Sequence, residues 1–555
     1  MHSKRHTAAR IGCGLAFLIG CGARTTLNPG ELASFGAAGA RSSAGAAGAP
    51  ASPVAGAGAG PSSGGASVGG ASVGGAGGSI VAAGFGGSAA GEAGSGPCTD
   101  VGCICLDPRL LLVTPPNARN GALGAAGVKA TFSCTPHPSI SRPAAMTVTG
   151  QFAGALPASF PTPAQPNDVL LMPAAPDGVR KDPYFAGEWL TARLSMPLGG
   201  PYLWQFMAAV RAKTAVSFSD TGQALAPAMS AALADLDHDG DLDLVTGSSS
   251  DMFLRVYAND GTGTFSLRAT VPGVGEPFLA DLDGDGAIDI ASDHVFLNAG
   301  GFGFTDGVEL GEVHAVFDAD ADGDFDIFQV QDKQQWALLQ NDGKGTFAPV
   351  LMDQAYVFDA KAGDLDNDGD LDLVLIALVE GSGTPDVYRG AVLLNDGSGH
   401  FVEIDSGLEV DATRALALGD VDGDGDLDVF MGSWGAAGAR NPADQVWLND
   451  GQARFRAGDA PLSGSPHVLL ADLDGDGDLD AIAGQHSPYS TAKGEPSQVL
   501  LNDGQGRFRA AGVVGGSNFQ HVVLGDLDGD GDLDAVVTEW DWTDKPPVQI
   551  WLNDN

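Results

Sequence analysis

The chain is 555 residues long and carries 70 acidic against 28 basic residues, a formal charge of −42 at neutral pH. Its length admits more than one domain and a large core. The acidic surplus excludes nucleic acid as a partner, because phosphate backbones are bound by clustered cations.

From the N-terminus, "MHSKRHTAARIGCGLAFLIGCG" joins a basic start (Lys4, Arg5, Arg10) to a short apolar run that reaches Ile19. Residues 1–20 read as an export signal, too short to cross a membrane as an ordinary helix. The end of this stretch, "LIGC", resembles the bacterial lipobox, with Leu18, Gly20 and Cys21 at matching places. That resemblance implies a lipoprotein whose first mature residue is the lipidated Cys21. Gly22, where Asp would retain such a protein inside, implies the outer membrane or cell surface. The alternative is an ordinary signal peptide cut nearby.

Residues 21–97 are Gly, Ala, Ser and Pro with hardly a large apolar side chain, as in "GASVGGASVGGAGG". Such a segment cannot bury enough surface to order itself. It is expected to be a disordered tether, and about 75 residues of random coil span roughly 50 Å. Of the six cysteines, Cys13 leaves with the signal and Cys21 is the lipid site, so Cys98, Cys103, Cys105 and Cys134 remain in an oxidising setting. Four cysteines allow three pairings, and all three stay open.

Residues 98–214 show alternating strand-like runs: "LLVTPP", "GVKATFSC", "AMTVTGQF", "VLLMP", "EWLTARL" and "YLWQFMAAV". With its "TPP…GA" opening, this stretch resembles the bacterial Ig-like, SbsA-type β-sandwich. Cys134 falls in the second run, where a bond from Cys103 or Cys105 would pin the tether.

Residues 215–555 are ruled by one nine-residue pattern. It appears as "DLDHDGDLD" at 235, "DLDGDGAID" at 281, "DADADGDFD" at 318, "DLDNDGDLD" at 364, "DVDGDGDLD" at 420, and "DLDGDGDLD" at 472 and 526. The starts lie 46, 37, 46, 56, 52 and 54 residues apart, the period of a propeller or solenoid. Each copy keeps Asp at positions 1, 3, 5 and 9 and Gly at position 6. A hard cation such as Ca2+ takes six to eight oxygens, and Gly permits the sharp turn that folds acids inward around it. Position 7 would offer its backbone carbonyl, so its side chain is free to vary. Without a cation, carboxylates ~4–5 Å apart repel by roughly 3–4 kcal/mol per pair at an effective dielectric of about 20.

The expected ligands of about seven structural calcium ions follow loop by loop. They are Asp235, Asp237, Asp239, Asp241 and Asp243, then Asp281, Asp283, Asp285, Ala287 and Asp289. Next come Asp318, Asp320, Asp322, Asp324 and Asp326, then Asp364, Asp366, Asp368, Asp370 and Asp372. The last three sets are Asp420, Asp422, Asp424, Asp426 and Asp428; Asp472, Asp474, Asp476, Asp478 and Asp480; and Asp526, Asp528, Asp530, Asp532 and Asp534. An EF-hand would need Glu at position 12, where the first copy has Thr246, and helices on both sides. The flanks "LDLVTG" and "LDAVVT" are instead β-branched and strand-like.

Each unit reads as strand, Asp loop, strand, variable loop, third strand, "NDGxG" hairpin turn and a fourth strand opening on Phe. Four antiparallel strands per unit make a propeller blade. The residue before each loop is small in six copies (Ala234, Ala280, Gly363, Gly419, Ala471, Gly525), with Phe317 the exception. Crowding of inner strands at the axis accounts for that. The loops together with "LNDGxGxF" resemble the FG-GAP/VCBS repeat found in integrin α-subunit heads and bacterial surface proteins. The resemblance implies an all-β fold, a seven-bladed propeller with calcium between strands 1 and 2. The "FG-GAP" letters are poorly kept, so the likeness is to the bacterial branch. The sequence stops at "QIWLNDN", the third strand of blade seven, and Phe218 in "AVSFSDTGQAL" matches the Phe that opens fourth strands elsewhere. The N-terminal end of the propeller should therefore supply the missing outer strand, since an open ring exposes two strand edges.

Long loops between strands 2 and 3 in blades four to seven carry Tyr388, Arg389, Trp434, Tyr489, Trp540 and Trp542, on the face opposite the Asp loops. Aromatics with Arg serve protein interfaces and sugar stacking. They serve equally as anchors on which long loops fold. His467 and His521 open inner strands of blades six and seven, near the channel mouth on that face. They read as polar lining, with metal binding or acid–base work as the sharper alternative. Three functions stand open: a calcium-binding, lipid-anchored surface module recognising a protein or glycan; a polysaccharide-active enzyme on a propeller scaffold; and a structural envelope component. No zinc-protease or phosphate-loop motif is present.

Overall fold

The computed structural model describes residues 110–114, 128–132, 146–151, 154–155, 158–159, 168–173, 184–194, 202–213, 215–248, 252–331, 335–379, 387–410, 413–433, 444–458, 465, 467–484, 496–516, 519–539 and 547–553. The signal, the lipobox with Cys21, the tether, all six cysteines, Trp434, Tyr489, Trp540 and Trp542 lie outside the described residues.

Every described element is a β-strand, and every pairing between them is antiparallel. Two four-stranded sheets come first, and each of the six apolar runs read from 98–214 forms a strand in one of them. Trp189–Leu194 shows why: Leu190, Ala192 and Leu194 point inward while the residues between them are half-buried. That is the period-2 pattern of a strand with one covered face.

Seven four-stranded sheets follow, one per repeat. Blade one runs Ser230–Ala234, Asp243–Ser248, Phe253–Asn259 and Phe265–Pro272. Blade seven runs Phe519–Gly525, Asp534–Glu539 and Gln549–Asn553, and its outer strand is Phe218–Ala224. Asn553 pairs with Phe218 as Asn259 pairs with Phe265, so the ring is closed by the N-terminal strand as the repeat pattern requires. Burial grades outward along each blade. The second strand of blade one, Asp243–Ser248, is covered throughout, while the outer strand Phe265–Pro272 is mostly exposed. A strand walled on both faces by neighbouring blades has no solvent side and reads as a continuous apolar run.

The cores lie in the seams. Seven apolar clusters each join two adjacent blades, from Leu254, Ile290 and Phe296 between blades one and two to Leu244, Tyr257, Val536 and Ile550 between seven and one. This changes the reason for the small residue before each Asp loop. A Cβ added at Gly419 would sit 2.4 Å from Leu479 Cδ1, and one at Gly525 2.5 Å from Leu242 Cδ1, each a leucine of the next blade. The seam sets the size, not the axis. Phe317 fits because the next blade offers Ala362 where other blades carry Leu233, Leu418 or Leu470; its ring also packs edge-on against Phe401 at 6.3 Å.

A repeated amide clamp crosses these seams. The Asn ending each third strand donates its side-chain N–H to the position-2 carbonyl of the preceding blade's loop. The pairs are Asn298 to Leu236 (2.9 Å), Asn341 to Leu282 (2.8 Å), Asn395 to Ala319 (2.7 Å), Asn449 to Leu365 (2.8 Å), Asn502 to Val421 (2.8 Å) and Asn259 to Leu527 (2.8 Å). The seam between blades six and seven differs, for Asn553 Nδ2 is buried without a hydrogen-bond partner there. The chain entering the propeller fills that seam instead. Arg211 N–H donates to Gly531 O (2.7 Å), Lys213 N–H to Asp474 O (2.6 Å), and Val210 joins the apolar cluster between the two blades.

The same N-terminal module reaches across the Asp-loop end of the ring. Phe185 packs with blades seven and one, Gly187 abuts Leu533, Leu203 packs with blades three and four, and Arg193 pairs with Asp318. These blades face one another around a sevenfold ring, so the module lies across the axis at that end.

Replacing Asn395 by Ala strands two buried carbonyls, Ala319 O and Leu371 O. The expected cost is about 2–4 kcal/mol in chemical denaturation, at roughly 1–3 kcal/mol per unsatisfied group. A loss within error would show the clamp to be redundant.

Candidate metal loops and channel mouth

The seven Asp loops share one conformation. Gly at position 6 has φ between 92° and 103° in all seven (Gly240, Gly286, Gly323, Gly369, Gly425, Gly477, Gly531). Position 4 is left-handed as well, at φ 60° to 77°, whether it holds Gly284, Gly423, Gly475 and Gly529 or His238, Ala321 and Asn367. Within the loop, acids at positions 1, 3 and 5 accept backbone N–H groups further along. Asp420 takes those of Gly423 (2.7 Å) and Gly425 (3.0 Å), Asp283 that of Asp285 (3.2 Å), and Asp476 that of Asp478 (3.0 Å). The chain thereby winds around its own carboxylates.

Position 9 does a different job from the other four. It opens the second strand and is buried in every blade. In blade four, Asp372 accepts from Leu365 N–H (3.0 Å) with one oxygen and from Asn395 N–H (2.9 Å) with the other. The other six blades repeat this pair of bonds. One carboxylate thus ties loop to third strand, and that strand's Asn ties to the blade before. In blades one and three to six the position-7 carboxylate lies against the hairpin turn: a Cβ on Gly343 would come within 2.3 Å of Asp324, and one on Gly397 within 2.6 Å of Asp370.

Carboxylate oxygens converge within 4.8 Å of one another in Asp235, Asp237 and Asp239, in Asp281, Asp283 and Asp285, and in Asp318, Asp320 and Asp326. The same holds for Asp364, Asp366 and Asp372, and for Asp420, Asp422 and Asp428. Oδ1 of Asp318, Asp422, Asp474 and Asp526 is buried with no hydrogen-bond donor. An all-oxygen set with orphaned anionic atoms fits a hard divalent cation. Three loops also meet protein cations: Arg193 at Asp318, Arg456 at Asp422 (3.6 Å) and Lys213, its side chain buried, at Asp532.

Burial pushes the position-9 carboxyls up against the pull of their backbone donors. They reach about 7 at Asp289 and Asp326, and about 8 at Asp243, Asp372, Asp428, Asp480 and Asp534. Asp364 is held well above the carboxylate range by burial and then by Asp372.

The structure brings His467 and His521 together, ring centroids 4.5 Å apart, with His521 Nε2 3.3 Å from Glu276 Oε1. Burial, and then the His521 charge, hold His467 well below its usual value. Burial raises Glu276, but the His521 bond and charge, with Lys361 and His467, outweigh it and bring the carboxyl to about 2. Lys361 is paired with Asp359 at 2.7 Å. Glu276 and Asp359 escaped the sequence reading, although a signal existed. They and both histidines stand five residues before the first Asp of their loops, one register of the inner strands.

Of the loop aromatics and Arg, only Tyr388 and Arg389 fall among the described residues, and both are engaged within the fold. Tyr388 packs on Phe358 at 5.5 Å, and Arg389 pairs with Glu403 (3.1 Å) and Asp353 (3.4 Å) beside the Trp336 ring.

Seven four-stranded blades, each opened by an Asp loop, define a repeat β-propeller. Within it, residues 235–292, 318–375 and 364–431 match the FG-GAP-like repeat. No curated protein matches the chain. Among solved structures, BBS1N in complex with ARL6DN shares 12% identity over 62% of this chain and 98% of its own, with a TM-score of 0.40. The BP39L lectin from Burkholderia pseudomallei shares 12% over 60% and 97%, TM-score 0.43. A protein of unknown function from Bacteroides thetaiotaomicron shares 12% over 81% and 98%, TM-score 0.28.

Two predictions follow from the loops. Without a cation, the native position-9 carboxyls keep protons that an unfolded chain releases near pH 4, so stability falls as pH climbs from about 4 to about 8. In chelator, Tm should be higher near pH 5 than near pH 8, and excess calcium should remove or reverse that order. A chelated Tm that rises with pH would refute it. Separately, Ala321→Gly relieves a left-handed alanine and should stabilise by about 0.5–1 kcal/mol, read by denaturant midpoint.

Proposed function

We propose that this protein is a calcium-stabilised recognition module, exported and held at the outer membrane or cell surface by lipid on Cys21. The tether and an Ig-like spacer carry the propeller, which displays the face opposite the Asp loops to a protein or glycan. The observation that carries the reading is the sevenfold recurrence of one wound, all-oxygen acidic loop with orphaned carboxylate oxygens. Calcium in these loops would neutralise charge that the seams cannot, and stiffen the ring without taking part in chemistry. At a hundredfold excess over its dissociation constant, each ion adds about 2.7 kcal/mol.

The polar cluster of Glu276, His467 and His521 favours a second reading, a polysaccharide-active enzyme. New reducing ends or unsaturated products from cell-surface polysaccharides would support it over the first.

Two measurements test the leading reading. Cys21→Ser should abolish incorporation of a fatty-acid label and shift the protein from membrane to soluble fractions; unchanged labelling would refute the anchor. On a glycan and surface-protein array, binding should be present in calcium and lost in chelator. Binding that is indifferent to calcium would separate recognition from the loops.

A further inference from the structure

We propose that His467, His521 and Glu276 form a site for one divalent transition ion of borderline softness, zinc or cobalt in chemical class, distinct from the Asp loops. The donors come from three blades: Glu276 and His467 precede the inner strands of blades two and six, and His521 lies in that of blade seven. Their geometry suits coordination. The 3.3 Å between His521 Nε2 and Glu276 Oε1 is the edge of a tetrahedron whose bonds are about 2.0–2.1 Å, the length of zinc–nitrogen and zinc–oxygen bonds. His467, the third donor of the proposal, stands edge-to-face with His521 at 4.5 Å between ring centroids and lies within reach of the Glu276 charge.

The donor chemistry separates this site from the loops. Oxygen-only loops suit hard ions, whereas two imidazoles with one carboxylate draw zinc and its neighbours and leave a position for water or a ligand. His521 Nδ1 is buried without a hydrogen-bond partner, and Nε2 is the ring nitrogen that faces Glu276. Charge around the cluster also favours a cation. Glu312 and Asp359 act on it besides Glu276, while Lys361, the ammonium that opposes a cation here, is held by Asp359 at 2.7 Å. Solvent reaches the carboxylate, for Glu276 keeps 48% of its side chain exposed, which gives an ion a route in.

The test uses the full chain in saturating calcium, so that the loops do not compete. Cobalt(II) is titrated and followed by visible absorption, then displaced by zinc. One equivalent should bind and give ligand-field bands without the charge-transfer band that a cysteine thiolate adds. His467→Ala and His521→Gln, the latter keeping a donor for Glu276, should each weaken binding roughly 10–100-fold or more, with the calcium-saturated Tm unchanged. No bands, equal bands in the double variant, or a thiolate band would overturn the assignment. Should a variant fail to fold, the unsubstituted protein still decides. Cobalt must broaden the ring NMR signals of two histidines first, and a zinc-protected pair that mass spectrometry maps elsewhere by histidine modification overturns the proposal.

Discussion

The ring depends on a carboxylate and an amide used together in each blade. The ninth-position Asp gathers its own loop and third strand, and the Asn ending that strand reaches back to the loop of the blade before. Both are buried, so neither can be lost without leaving polar groups dry. Because each blade's clamp needs the previous blade's loop to be wound, loop conformation and ring closure are one property. The seam between blades six and seven is where the clamp lapses, and there the incoming chain, with Lys213 against Asp532, takes its place. Chain entry, blade closure and the fixing of the N-terminal module across the Asp-loop end thus meet in one region.

That arrangement carries an electrostatic burden. Four or five acids per loop, in a chain of formal charge −42, face one another with few protein cations near them. Buried carboxyls pushed to about 8 hold protons that neutral solution would otherwise remove. A divalent ion would relieve both difficulties at once, which is the ground on which calcium is proposed as part of the fold and recognition is sought elsewhere. The opposite end of the channel holds a mixed set of His, Glu, Asp and Lys side chains, chemically unlike the loops.

Much of this was legible in the sequence because the period was carried by rigid demands. A strand-loop-strand unit repeated seven times fixes the blades, and Phe218 in register with six other phenylalanines identifies the closing strand. The loop's Gly at position 6 was read from the turn it must make. Its fellow at position 4 was passed over, since His238, Ala321 and Asn367 occupy a left-handed backbone that Gly holds elsewhere. The small residue before each loop was noticed and assigned to crowding at the axis, when leucines across the seam set its size. Seams are contacts between repeats, and a pattern read one repeat at a time does not display them. The same holds for Glu276 with His521: only ring closure brings residues 245 positions apart to 3.3 Å. Tyr388 and Arg389 were picked by residue type as a ligand face, and both prove to be tied into blades three and four.

The most direct test is calorimetric melting of the chain in excess calcium and in excess chelator, with bound calcium counted by native mass spectrometry. About seven ions, and a Tm that falls steeply when they are removed, are expected if the acidic loops are cation sites on which the ring depends. Few ions and an unchanged Tm would contradict that, leaving the buried carboxylates held by protons and backbone amides alone.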